Sequence, residues 1–296
     1  MSLRLWTMDR LPSRRCTDGM TEQLILVTGG TGMTGSRIAH RLRARDVPVR
    51  VASRSSACRL DWADPTTWDA ALAGASAVYL AYAPDLAVPG SDDVLTDFTE
   101  RAARAGVGRV VLLSGRGEPA AQRAEQAVQR TATAAGLAWT VVRCSWFVQN
   151  FTEGQFADAV RAGELALPVD DVVEPFVDAD DIAEVAVTAL LGDGHAGRTY
   201  ELTGPRALGF GAAVAELAAA TGRPVTFRPV PLAEFTAGLA EEGAPREVVE
   251  LMAHLFTEVL DGRNAAPADG VQQALGRPAT DLTDAVRRSA LARSRA

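Results

Sequence analysis

The sequence predicts an α/β fold, a doubly wound parallel sheet joined to a smaller, mostly helical C-terminal lobe. Three observations carry that expectation. Short apolar runs alternate with amphipathic helical stretches from Gln23 onward, which is how a parallel sheet covered by helices on both faces reads. A glycine-rich turn, Gly29-Gly30-Thr31-Gly32-Met33-Thr34-Gly35, separates the first apolar run from the first helical stretch. The 296 residues, 47% hydrophobic and 23% charged, suffice for one large domain or two closely joined ones.

Residues 24–27 form the first expected strand. The stretch after the glycine turn keeps Met33, Ile38 and Leu42 on one helical face and spreads Arg37, Arg41, Arg43 and Arg45 over the rest. Residues 47–52 make a second strand, a short third one precedes Asp61, and Asp64-Pro65 reads as an N-cap and first helical position for a helix with Trp68 and Leu72 turned inward. Strand 77–81, helix 94–105, strand 109–113, helix 120–135 and strand 139–142 repeat the alternation, so these are Rossmann-type units. They assign residues 23–150 to a first domain, completed by 176–205, where a buried helix (182–191) precedes a strand (199–202) that returns to the sheet. After Asn150 the rhythm changes. A helix near 155–161, a proline-bounded segment 165–175, and helices near 212–220, 232–240 and 246–260 carry no further glycine-rich turn. Residues 151–175 and 206–290 are therefore read as a substrate-binding lobe, with the cleft between lobes as the ligand site. Residues 1–22, which carry Arg4, Arg10, Arg14 and Arg15 without a secretory apolar core, read as a flexible N-terminal tail. Met20 makes an upstream-extended start codon a plausible origin of residues 1–19.

All 30 basic residues are arginine, which excludes every mechanism that needs a lysine amine: a Schiff base, a lysine-bearing phosphate loop, a Tyr/Lys oxidoreductase pair. A net charge of −7 gives no footprint for a phosphate backbone, so no nucleic-acid partner is expected. Cys16, Cys58 and Cys144 are too few and too scattered for a disulfide framework or a zinc site, and a reducing cytoplasm is the simplest setting. No apolar run has the length to cross a bilayer, and no membrane partner is expected.

Gly30, Gly32 and Gly35 match the G-x-G-x-x-G spacing between a strand and a helix, where backbone amides can approach a pyrophosphate. A carboxylate at the end of the second strand would bind ribose hydroxyls; this chain has Ser53-Arg54 instead, a hydroxyl and a guanidinium that match a phosphate monoester and favour NADP(H). Arg54 and Arg59 also read as ordinary solvated arginines. Asp61 and Trp62 could border the adenine, although Asp61 equally suits a turn. Open sheets of this kind bind ligands at the strands' carboxyl ends. Ala81 and Tyr82 should line the cofactor there, Ser114, Gly115 and Arg116 should lie beside the nicotinamide, and Trp146, Phe147 and Asn150 suit a flat apolar substrate. Tyr82 and Arg116 may also touch that substrate, and Ser114, Arg116 and Tyr82 are the catalytic candidates. Trp146 and Phe151 could as well be core between the lobes. His40, His195 and His254 lack metal-ligand spacing, so no metal is expected. Asp178, Asp180 and Asp181 precede a helix and suit capping better than paired-carboxylate chemistry.

The glycine loop, Ser53-Arg54, the run Leu112 to Glu118 and the run Trp146 to Phe151 together resemble the NmrA-like atypical short-chain dehydrogenase/reductases, with the nearest likeness to bacterial relatives of the festuclavine and agroclavine dehydrogenases. Glu174-Pro175-Phe176-Val177-Asp178, Tyr200 to Pro205 and Asp261-Gly262-Arg263-Asn264 extend the likeness over about residues 24–286. The resemblance implies NADP(H) held through Thr31, Met33, Thr34, Ser53 and Arg54, with nicotinamide near Ser114. Where the wider superfamily carries its proton-donor tyrosine and lysine, this chain has about Gly117 and Ala121. An unactivated ketone, which needs a proton as hydride arrives, is thereby disfavoured. An iminium ion already carries its positive charge, and quinones and enones stabilise the developing enolate. The leading expectation is a reductase of such small molecules. The alternatives are an NADP(H)-binding redox sensor acting through a protein partner, and an interaction module with a vestigial glycine loop.

Overall fold

A computed structural model describes residues 23–289; the tail assigned to residues 1–22 lies outside the described residues. The chain opens with β1 (Ile25–Thr28), α1 (Met33–Arg43), β2 (Val49–Ser53) and β3 (Cys58–Arg59), then α2 (Trp68–Leu72), β4 (Ala77–Leu80), α3 (Ser91–Arg104), β5 (Arg109–Gly115), α4 (Pro119–Ala134) and β6 (Ala138–Cys144). β1 and β4 are buried along their whole length, as strands covered on both faces must be. Asp64 accepts from the Thr66 amide and starts a 3₁₀ turn, Pro65–Thr67, rather than the α-helix itself, which begins at Trp68. Trp68 and Leu72 do point inward.

Beyond β6 come α5 (Gln149–Thr152), α6 (Ala157–Ala162), β7 (Glu164–Leu167), β8 (Val173–Glu174) and α7 (Ala179–Leu191), then β9 (Arg198–Leu202), β10 (Leu208–Gly209), α8 (Phe210–Thr221) and β11 (Thr226–Pro229). Helices α9 (Leu232–Glu241), α10 (Arg246–His254), α11 (Gly270–Leu275) and α12 (Leu282–Arg288) complete the described residues. Asp178 caps α7 through the Asp180 amide (3.0 Å), as its place in the sequence suggested.

Seven strands form one parallel sheet in the order β3-β2-β1-β4-β5-β6-β9. The chain winds outward from β1 to β3, then returns to β4 and winds the other way, so the order reverses between β1 and β4. A crevice opens beyond their carboxyl ends at that point, the place where such sheets hold ligands. Trp68, Phe98 and Val128 from α2, α3 and α4 cover one face of the sheet; Ile38, Ile182 and Val271 from α1, α7 and α11 cover the other. The third core holds the lobe together, with Phe151, Phe156, Phe176, Phe210 and Phe256 in mutual ring contact.

Two features of the lobe differ from the sequence reading. Short pairings, β7 with β11 and β8 with β10, lie in segments for which the sequence predicts no strand. The helix expected over 246–260 stops at His254 and continues as a π-helical turn, Leu255–Val259.

Candidate active site

Why the first turn must be glycine is a matter of contacts. Gly29 adopts φ +58°, a left-handed conformation costly for other residues. A Cβ on Gly30 would fall 2.6 Å from Val51 on β2, and one on Gly35 would fall 2.4 Å from the Gly29 carbonyl. Glycine at these positions lets α1 seat directly on the turn. Its first amides, those of Met33, Thr34 and Gly35, precede the intrahelical ladder and face the crevice end of the helix dipole. The Thr34 hydroxyl accepts from the buried Tyr79 phenol (2.9 Å), whose ionisation burial suppresses, and keeps its own O–H to donate. Thr28 ties the ends of β1 and β4 together, accepting from the Ala81 amide at 2.8 Å.

One strand over, Ser53 sits at the end of β2, and its hydroxyl oxygen accepts from the Ser56 amide (3.0 Å). Arg54 is exposed and has no hydrogen bond or ion pair among the described residues. Arg59 differs, lying 3.3 Å from Asp61 and 3.8 Å from Asp64. Asp61 closes a turn by accepting from the Ala63 amide (3.1 Å) while its carbonyl receives the Trp68 indole (2.8 Å). Trp62 packs on Tyr82, ring centroids 5.2 Å apart. A glycine cradle, unpaired helix-end amides and one uncommitted guanidinium fit a dinucleotide phosphate.

A cleft of about 260 Å³ lies at the ends of β4, β5 and β6. It brings together Tyr82, Ser114, Gly115, Arg116, Trp146, Phe147 and Asn150, all named from the sequence, and adds Asp85, Glu118, Leu255 and Val259, which were not. Asp61, Trp62 and the glycine loop do not line it. Ser114 is buried, and its hydroxyl has no hydrogen-bond partner among the described residues. Arg116 borders the cleft but directs its guanidinium to Glu201 (3.1 Å) and to the carbonyls of Asn264 (2.8 Å) and Ala266 (2.9 Å). Trp146 lines the cleft and also stacks on Phe156, so lining and packing meet in one side chain. Phe151, 2% exposed, belongs to the core.

The two positions that replace the superfamily's tyrosine and lysine are structural. Gly117 has φ +78°, and a Cβ there would fall 2.2 Å from the Asn264 amide nitrogen; Ala121 is wholly buried. Glu118, the next residue, is 7% exposed and leaves Oε2 without a hydrogen-bond partner among the described residues. Burial, and then the charge of Asp85, push its carboxyl well above the usual carboxylate range. Glu174 lies behind the cleft wall and accepts from the Ser145 hydroxyl at 3.1 Å; burial lifts its carboxyl to about 7. A glutamate before proline at a helix start looks like an ordinary N-terminal acid, so only the fold reveals Glu118 as buried.

Residues 29–193 match the NAD(P)H-binding family. The chain belongs to that family. It is an NmrA-like oxidoreductase of the short-chain dehydrogenase/reductase superfamily. Its relatives include an NAD(P)H azoreductase of Xenophilus azovorans, 30% identical over 88% of this chain and 96% of that one. An uncharacterized oxidoreductase of Bacillus subtilis is 32% identical over 90% and 94%, and an agroclavine dehydrogenase of Claviceps fusiformis 32% identical over 80% and 87%. Identities this level do not single out the ergot-alkaloid enzymes, contrary to the nearest likeness drawn from the motifs. Among solved structures, an NADPH-dependent quinone oxidoreductase from Escherichia coli in complex with NADPH shares the fold with a TM-score of 0.72, at 22% identity over 88% of this chain and 98% of that one.

Proposed function

We propose that this oxidoreductase uses NADPH to transfer hydride to a flat small molecule, either an iminium or imine or a conjugated carbonyl compound such as a quinone or enone. The observation that carries the reading is the cleft at the ends of β4, β5 and β6, walled by Tyr82, Leu113, Trp146 and Phe147 and provided with a few buried polar groups. Such a pocket suits a planar apolar acceptor and serves no purpose in a protein that only senses its cofactor. Relatives named for an azo compound and for a dihydrofuranone phosphate, both flat conjugated groups, support the same class.

In this reading the amides of Met33, Thr34 and Gly35 and the turn from Gly29 to Gly32 hold the diphosphate. Ser53 and Arg54 take the adenosine phosphate, Trp62 borders the adenine, and Ala81, Tyr82, Ser114 and Gly115 line the nicotinamide half. Bound NADPH supplies the hydride. The chain orients the acceptor between Tyr82, Trp146 and Phe147, with Asn150 as a polar contact, and keeps water from the reacting face. The test is a panel of cyclic iminium salts, quinones and enones with purified protein, followed by loss of reduced-nicotinamide absorbance. Stoichiometric NADPH oxidation by at least one group is expected. Silence across the panel with NADPH bound overturns the reading and leaves redox sensing.

A further inference from the structure

Glu118 and Asp85 both line the cleft, and neither has an ion pair among the described residues. Glu118, at the start of α4, lies so close to β5 that a Cβ on Gly115 would fall 2.2 Å from its Oε1. Its Oε2 is buried and has no hydrogen-bond partner among the described residues. Asp85, from the segment between β4 and α3, faces it and is itself held by the Ala87 amide (2.7 Å). The other titratable groups around the pair leave its charge in place. Glu125 on α4 is bound by Arg143 of β6 (2.5 Å), Arg116 is directed to Glu201 and two carbonyls, and burial keeps Tyr82 and Cys144 uncharged. Glu118 is the buried member, and burial, with the facing Asp85 beside it, keeps a proton on its carboxyl well above the usual carboxylate range.

We propose that Glu118 is the proton donor of the reductase, protonating the oxygen of a neutral conjugated carbonyl acceptor as hydride reaches the conjugated carbon. The proposal rests on the reductase reading and narrows its substrate class, because an iminium ion needs no proton and a quinone or enone does. The balance is complete. Hydride brings two electrons to carbon, and the displaced π pair moves to oxygen. The carboxyl O–H bond of Glu118 breaks as the O–H bond of the enol forms. From a quinone this enol is a keto tautomer of the hydroquinone, which it becomes when the carbon that took the hydride loses a proton to water and the second carbonyl oxygen takes one up. NADPH is the reductant and leaves as NADP⁺, and the Glu118 carboxylate regains a proton from water beside Asp85. Ser114, whose hydroxyl also lacks a partner among the described residues, lines the same cleft and can orient the acceptor oxygen.

The experiment compares p-benzoquinone with an N-methylated cyclic iminium salt, which cannot lose a proton, in wild type, Glu118→Gln and Asp85→Asn. In Glu118→Gln the ratio of quinone turnover to iminium turnover should fall by about 10²-fold or more, the scale of a lost general acid. Wild-type quinone turnover should decline as pH rises through the Glu118 ionisation, and Asp85→Asn should move that decline to lower pH. Infrared titration of the cofactor-free protein supplies a readout apart from activity: a protonated-carboxyl band near neutral pH beyond that of Glu174, lost from Glu118→Gln, in which the Glu174 band remains. An unchanged acceptor ratio, an unshifted decline in Asp85→Asn, or no such band in wild type overturns the proposal. Wild type silent on both acceptors brings down the reductase reading and this proposal together, whereas an active wild type with an unchanged ratio removes only the role of Glu118.

Discussion

Arg54, just past the end of β2, meets no carboxylate among the described residues, in contrast to nearby Arg59. If it grips the adenosine phosphate, Arg54→Ala should weaken NADPH binding by about 1.5–3 kcal/mol, roughly 10- to 150-fold, and hardly change NADH binding. Calorimetric titration with both cofactors decides it, and equal losses remove the phosphate assignment. A second residue-scale expectation concerns Glu174. Its carboxyl titrates near 4.5 in the unfolded chain and about 7 when folded. Between those values the folded state keeps a proton the unfolded state has lost, so the contribution is complete below pH about 4.5 and has vanished above about 7. The span is on the order of 3 kcal/mol. Glu174→Gln should therefore lose less stability than wild type between about pH 5 and about pH 8 in urea denaturation. Identical losses in the two proteins would show that Glu174 does not titrate in the fold.

At the scale of elements, α1 seats on the first turn backbone against backbone, with no room for a side chain. Gly35→Ala sets a methyl group 2.4 Å from the Gly29 carbonyl, so α1 must lift from the turn. A stability loss of about 1–3 kcal/mol is expected, with weaker binding of both NADPH and NADH, unlike the selective loss at Arg54. Native stability with unchanged affinities would mean that the turn relaxes freely. This part of the site was legible in the sequence because glycine spacing and buried strands are local signals, and β1, β4, β5 and β6 each read as continuous apolar runs. What escaped was set by distant contacts. β8 and β10 are two residues each, too short for any periodicity, and they exist because Leu208 meets Glu174. The π turn at Leu255–Val259 has the composition of the helix it continues; Leu255 and Val259 line the cleft there, in keeping with the occurrence of such turns at functional sites. Arg116 was read as chemistry from its place after Ser114, and its acceptors at Asn264 and Ala266 lie about 150 positions away, beyond any local pattern.

For the whole molecule, Arg116 is the point where sheet and lobe are fastened. It leaves the end of β5, donates to Glu201 on β9, and donates to the carbonyls of Asn264 and Ala266 in the segment after the π turn. Asn264 answers by donating its side-chain amide to the Arg116 carbonyl (3.1 Å) while it packs over Gly117. Glu201 also accepts from Arg143 (2.9 Å), which is bound in turn to Glu125, so one charge network joins α4, β6, β9 and the lobe. Leu255 and Val259 form the lobe's wall of the cleft, and their position depends on this fastening. Arg116→Ala removes three hydrogen bonds to a charged group from a side chain that is 13% exposed. A stability loss of about 2–3 kcal/mol should follow. The cleft should widen without losing its reacting groups, so KM for the acceptor should rise by a larger factor than kcat falls, and NADPH affinity should hold. If Arg116 instead acts on the substrate, kcat collapses while denaturation midpoint and acceptor KM stay near wild type. Steady-state kinetics and urea denaturation on the same preparation separate a fastening that shapes the cleft from a cation that works within it.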